Sequence, residues 1–152
     1  MKVSVVLESK GVDVYSVSPN DTVRDTLQFF ASKQIGCAPV FDDGGEILGL
    51  ITERDICNMI AKDGDAVVNR TVGEGLNNYV LSCTSDDRLP KVMALMTSHR
   101  TRHVLVRNDD GATVGIISIG DIVKHRLDEA LEEEKALRDY IAGTGYSCHM
   151  DA

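Results

Sequence analysis

Sliding the chain against itself by 66 residues lays GLITERDI, residues 49–56, over GIISIGDI, residues 115–122. The overlay runs without a gap from residues 14–60 onto 80–126. It contains eleven identities, among them Asp21/Asp87, Val40/Val106, Gly45/Gly111, Gly49/Gly115 and Asp55/Asp121. Apolar character agrees where identity does not, as in Val23/Leu89, Leu27/Met93, Phe30/Met96 and Leu50/Ile116. The chain therefore carries two copies of one supersecondary unit. A unit of about sixty residues buries too little apolar surface alone, so the copies are expected to pack on each other.

Each copy reads the same way. A short extended piece, DVYSV or YVLSC, runs into a polar turn, SPND or TSDD, whose Asp or Asn can cap a helix. Helical spacing follows at Val23, Leu27, Phe30 and Ala31 in the first copy and at Leu89, Val92, Met93 and Met96 in the second. Two strands then form a hairpin in each copy. CAPVF turns through DDGG into EILGLI, and HVLVR turns through NDDG into TVGII. A second helix, ERDICNMIA or GDIVKHRL, closes the unit. Two such β-α-β-β-α units packed sheet to sheet make an α/β (α+β) fold with a cleft between them, approached by the N-termini of the second helices. The divisions expected are residues 1–70, residues 71–127, a helical extension over 128–142 and a flexible tail over 143–152.

Composition narrows the chemistry. A formal net charge of −8 opposes general affinity for nucleic acid, so an anionic ligand must meet a local cluster of cations. The start, MKVSVVLESKG, has too short an apolar run for a signal segment, and no run reaches membrane-spanning length. With Cys37, Cys57, Cys83 and Cys148 spread without a C-x-x-C, neither a zinc site nor a redox motif is indicated, and a cytoplasmic protein is expected. No Gly-rich phosphate loop, H-E-x-x-H or nucleophile elbow appears, which argues against an enzyme.

In TERD the hydroxyl of Thr52 sits where a strand enters a helix, beside free N–H groups and the positive end of the helix dipole. Asp55, one turn on, offers two acceptors suited to a ribose diol, and Ser118 and Asp121 repeat the pair. The same spacing is that of a capping box, so capping alone accounts for either copy. Gly49 and Gly115 permit close approach of a strand or ligand. The densest cationic run is HRTRHVLVR, containing Arg100, Arg102, His103 and Arg107. Arg54 can reach the same anion as Thr52, whereas Gly120 replaces it in the second copy, so the two half-sites are unequal.

The motif Gly-apolar-apolar-Thr/Ser-x-x-Asp-apolar, closing each of two tandem units, resembles that of the CBS-domain pair, named from cystathionine β-synthase. The resemblance covers about residues 3–127. With the long terminal helix ending YIAG, the layout is similar to that of small stand-alone bacterial CBS-pair proteins. It implies a non-enzymatic regulatory module that binds an adenine nucleotide in the cleft, AMP foremost and ATP or NADH as alternatives. It implies ribose contacts at Asp55 and Asp121, phosphate contacts at Thr52 and Ser118, and Arg102 and His103 turned toward phosphate. Ser118 and Asp121, lacking an arginine at position 120, would borrow their cation from Arg102 or His103. Adenine contacts are implied near Val17, Ser18, Ala38 and Pro39 of the first copy and near Cys83, Thr84 and Val104 of the second.

Apolar spacing at Leu127, Ala130, Leu131, Leu137 and Ile141 extends the last helix, with Gly143 as its C-cap, and its stripe favours a homodimer. An unidentified regulated protein completes the expected partners, with no membrane and no nucleic acid among them. A structural interaction module with empty clefts is the alternative.

Overall fold

The computed structural model describes residues 1–11 and 14–145. The first unit runs through α2 (Val23–Lys33), the hairpin β1 (Cys37–Phe41) and β2 (Ile47–Thr52), and α3 (Glu53–Asp63). The second repeats it with β3 (Ser82–Thr84), α4 (Leu89–His99), the hairpin β4 (His103–Arg107) and β5 (Thr113–Ser118), and α5 (Ile119–Tyr140). Ahead of both lies α1 (Val3–Lys10). The expected α+β architecture with a long final helix is the one observed.

Both hairpins are antiparallel, and their registers correspond: Cys37 faces Thr52 and His103 faces Ser118. Both turns close the same way, Gly45 N–H donating to Asp42 and Gly111 N–H to Asn108, with φ of 82° and 81°. The leading strands differ from expectation. In the second unit β3 pairs parallel with β4, but in the first the extended piece shrinks to one bridge, Val17 with Val40. Tyr15 leaves the sheet to pack edge-on against Phe29, 5.8 Å between centroids.

Three apolar clusters hold the molecule. One lies within the first unit around Phe30, Val40, Ile51 and Ile56, and includes Val67 and Val72 from the linker. A second lies within the other unit around Leu89, Val92, Val104, Val106 and Ile117. The third joins the sheets: Leu50 and Cys37 of one unit meet Leu105 of the other. Helix α1 leads the first unit in sequence but buries Val3 and Val6 completely in the core of the second. Its backbone is tied there by Val3 N–H to Asp87 and Leu89 N–H to the carbonyl of Met1.

Helix α5 presents Val123, Leu127, Leu131, Leu137 and Tyr140 to solvent, so the apolar stripe is unpartnered within the chain. It does not stop at Gly143: the chain widens into a π-helical turn over Ile141–Gly145. Cys148 and His149, and most of the expected tail, lie outside the described residues.

The motif glycines fill different needs. A Cβ on Gly49 would stand 2.3 Å from the carbonyl oxygen of Asn77, whose backbone is fixed by a reciprocal pair of bonds with Leu50. A Cβ on Gly115 would meet only the Cδ2 of Leu7, at 2.7 Å, a side-chain tip that can rotate away. Gly49→Ala should therefore lose about 1–3 kcal/mol in urea unfolding, and Gly115→Ala clearly less. Equal losses would show that backbone approach does not set the need for glycine at position 49.

Candidate functional site

Both Thr/Ser-x-x-Asp stretches fold as complete capping boxes. Thr52 Oγ1 accepts from Asp55 N–H at 3.1 Å while Asp55 Oδ2 accepts from Thr52 N–H at 3.0 Å. Ser118 and Asp121 repeat this at 3.2 and 2.9 Å. The boxes use one carboxylate oxygen each, so Oδ1 of either aspartate accepts no hydrogen bond among the described residues. Capping and ligand contact are therefore compatible here.

Two clefts open between the units, and each is built across them. The Asp55 cleft, about 330 Å³, joins Thr52, Arg54 and Asp55 of the first unit to Tyr79, Leu81 and the run 99–103 of the second. The Asp121 cleft, about 450 Å³, joins Ser118 and Asp121 of the second unit to Tyr15, Gln34 and Cys37 of the first. Helices α2 and α4 end at corresponding residues, Gln34 and Arg100, both in the left-handed region at φ 55° and 52°. These side chains line opposite clefts, Gln34 that of Asp121 and Arg100 that of Asp55.

The charges differ sharply. Arg54, Arg100 and Arg102 all line the Asp55 cleft, and none of the three guanidinium groups forms an ion pair or side-chain hydrogen bond among the described residues. In the Asp121 cleft the cation is Lys10, from the end of α1. Its Nζ donates at 2.8 Å to both Asp121 Oδ2 and the carbonyl oxygen of Ile116. This differs from the expectation that Arg102 or His103 supplies that cation, because Arg102 lines the other cleft. Burial acts to raise the Asp121 pKa, but the hydrogen bonds from Lys10 and from Ser118 N–H outweigh it and hold the carboxyl below its ordinary value.

His103 lines both clefts. Burial foremost, and then the ammonium of Lys10, lowers its pKa against the opposing pull of Asp121. Cys37 lies opposite Thr52. Burial, with the Asp55 carboxylate adding to it, pushes its thiol up to about 12 and leaves it a protonated wall of the Asp121 cleft.

The side chains of the residues read as adenine contacts lie outside these two clefts. Val17 and Ala38 sit in the first unit's core, Cys83 and Val104 in the second's, and Pro39 is buried as well. Ser18 and Thr84 lead into turns, each donating its N–H to a carboxylate, of Asp21 and Asp87 respectively. None of the seven lines either cleft. Part of the apolar lining comes from positions just upstream, Tyr15 and Cys37 in one cleft and Tyr79, Val80 and Leu81 in the other, with Leu7, Ile35 and Ile116 adding to the first and Leu50 to the second. Lys10 was missed because nothing local marks a lysine whose partners lie 106 and 111 residues away. The exposed aromatics Tyr15 and Tyr79 were a usable signal.

Among the described residues there is no group of His, Cys, Asp and Glu that could hold a metal ion, and no helix is long and apolar enough to cross a membrane.

The CBS-domain family model matches residues 9–62 and 74–128. The chain is 32% identical over 152 residues to the CBS domain-containing protein CBSX3, mitochondrial, of Arabidopsis thaliana, spanning 95% of this chain and 73% of that protein. Among solved structures, the CBS-domain containing protein ATU1752 from Agrobacterium tumefaciens superposes with a TM-score of 0.79 at 35% identity, covering 82% of this chain and 92% of that one. The CBS-domain protein PAE2072 from Pyrobaculum aerophilum, solved with AMP, does so with a TM-score of 0.70 at 24% identity, covering 80% and 89%.

Proposed function

The chain belongs to the CBS-domain family, and from that premise we propose that it is a non-enzymatic regulatory module that binds an adenosine nucleotide between its two units. The observation that carries this reading is the Asp55 cleft. There, among the described residues, a capping box leaves one carboxylate oxygen without a hydrogen bond and three guanidinium groups lining the same cleft without a partner, a donor and acceptor set suited to a ribose and a phosphate. AMP is the ligand of the Pyrobaculum relative and the first candidate here, with ATP and NADH next. Occupancy changes how the two units pack, and a partner protein reads the change. The shift extends only as far as the ligand's preference for one packing over the other. The exposed stripe on α5 supports assembly as a homodimer.

One observation favours a second reading, an interaction module with empty clefts: both boxes are complete as caps without any ligand. Calorimetry with AMP, ADP, ATP, NADH and S-adenosylmethionine separates the two, and Asp55→Asn isolates the ribose contact. An asparagine carbonyl still accepts from Thr52 N–H, so thermal stability should hold, while loss of the carboxylate should weaken AMP by about 10-fold or more. An AMP affinity untouched by Asp55→Asn would sink the ribose assignment. Absence of heat from every nucleotide would favour the interaction module.

A further inference from the structure

The two clefts share one backbone plan and differ in charge at each decisive position. The Asp55 cleft offers Arg54, Arg100 and Arg102, all without a partner among the described residues, against Glu53 and Asp55. The Asp121 cleft offers Lys10 against Asp121, already joined at 2.8 Å, with the second ammonium hydrogen taken by the carbonyl of Ile116. One ammonium hydrogen remains, a single donor set beside a carboxylate. At the place of Arg54 the second unit has Gly120. His103 adds little positive charge there, since burial and Lys10 both disfavour its protonated form.

A phosphate entering the Asp121 cleft either shares that one remaining donor beside a carboxylate that repels it, or pulls Lys10 off Asp121 and faces the charge it has uncovered. A neutral ribose does neither: it can reach the free Oδ1 while Lys10 stays in place. We propose that the two clefts sort adenosine compounds by charge, the Asp55 cleft taking the phosphorylated nucleotide and the Asp121 cleft an unphosphorylated nucleoside. The Asp121 carboxylate, with Gly120 where the first copy has Arg54, sets the second preference, and Lys10 tempers the repulsion without supplying a free cation. This rests on the nucleotide-binding reading above and assigns a ligand class to each cleft.

A 16.5 kDa chain suits amide NMR, which reads the clefts separately through the N–H signals of Thr52 and Asp55 and of Ser118 and Asp121. Titration of the full chain with AMP should move the first pair at least ten times more tightly than the second, and adenosine should reach the second pair at lower concentration than AMP does. Gly120→Arg supplies the missing guanidinium. A Cβ at position 120 stands 3.6 Å from Ser118 Oγ, an ordinary contact, and arginine is the better helix former, so the variant should fold. It should tighten AMP at Ser118 and Asp121 at least ten-fold and leave adenosine there nearly unchanged. Lys10→Met should weaken AMP at that cleft more than adenosine, whereas a purely structural lysine would move both alike. If AMP occupies both clefts equally in the unaltered chain, or if Gly120→Arg changes nothing, charge sorting is overturned while nucleotide binding stands. If neither compound moves either pair of signals, both readings fall together.

Discussion

Leu105→Ala should lower the unfolding free energy by about 2–5 kcal/mol and weaken ligand binding at both clefts, AMP at the Asp55 cleft and adenosine at the Asp121 cleft. Leu105 is fully buried in the middle strand of the second sheet, and alternation along β4 divides its neighbours. Val104 and Val106 belong to the core within the second unit, while Leu105 reaches Leu50 and Cys37 of the first. The inter-unit cluster is small, so a cavity there has few side chains able to relax into it. Both clefts take residues from both units, so loosening the seam should disturb both at once. Val104→Ala provides the contrast. It should also cost stability, by removing methyl groups from a fully buried valine, yet leave nucleotide affinity within about two-fold where the protein remains folded. Urea unfolding and calorimetry below the transition read the two effects. A loss under about 1 kcal/mol for Leu105→Ala, or equal effects of both variants on affinity, would remove the seam from its assigned role.

The elements that could be read in the sequence are those whose signals are local. The 66-residue echo specifies two units, the Asp/Gly turns mark both hairpins, and Thr52 and Ser118 each begin a helix as their spacing with Asp55 and Asp121 requires. What escaped depends on contacts remote in sequence. Helix α1 shows an apolar face in Val3 and Val6, but no periodicity tells which core that face enters, and it enters the more distant one. A cleft between the units was legible, but its lining across them escaped for the same reason. Each matches the box of one unit with the leading segment of the other, so Tyr15 and Leu81 line the clefts while Val17 and Cys83, the neighbours a repeat-by-repeat reading selects, lie in the cores. Lys10 combines both difficulties, since it lies on α1 and acts on a box more than a hundred residues away.

Replacing Arg54, Arg100 and Arg102 together by alanine should weaken AMP at the Asp55 cleft by at least about 100-fold while barely changing stability. The three guanidinium groups form no ion pair among the described residues and their side chains are exposed, so the fold draws nothing measurable from their charges. Removing them should shift unfolding by no more than about 0.5 kcal/mol, and easing their mutual repulsion can make the shift favourable. Binding is another matter. A hydrogen bond to a charged group is worth about 1.5–3 kcal/mol, and even two engaged arginines exceed the roughly 2.8 kcal/mol that separates a 100-fold difference. Adenosine, which has no phosphate for them to hold, should lose far less than AMP. Salt supplies an independent reading, because exposed charges are screened as ionic strength rises. AMP affinity of the unaltered chain should fall between low and high salt, and that of the triple variant should stay nearly flat. An AMP affinity that survives the three substitutions would place the phosphate elsewhere. A loss shared equally by adenosine would mean that the arginines shape the cleft without recognising charge.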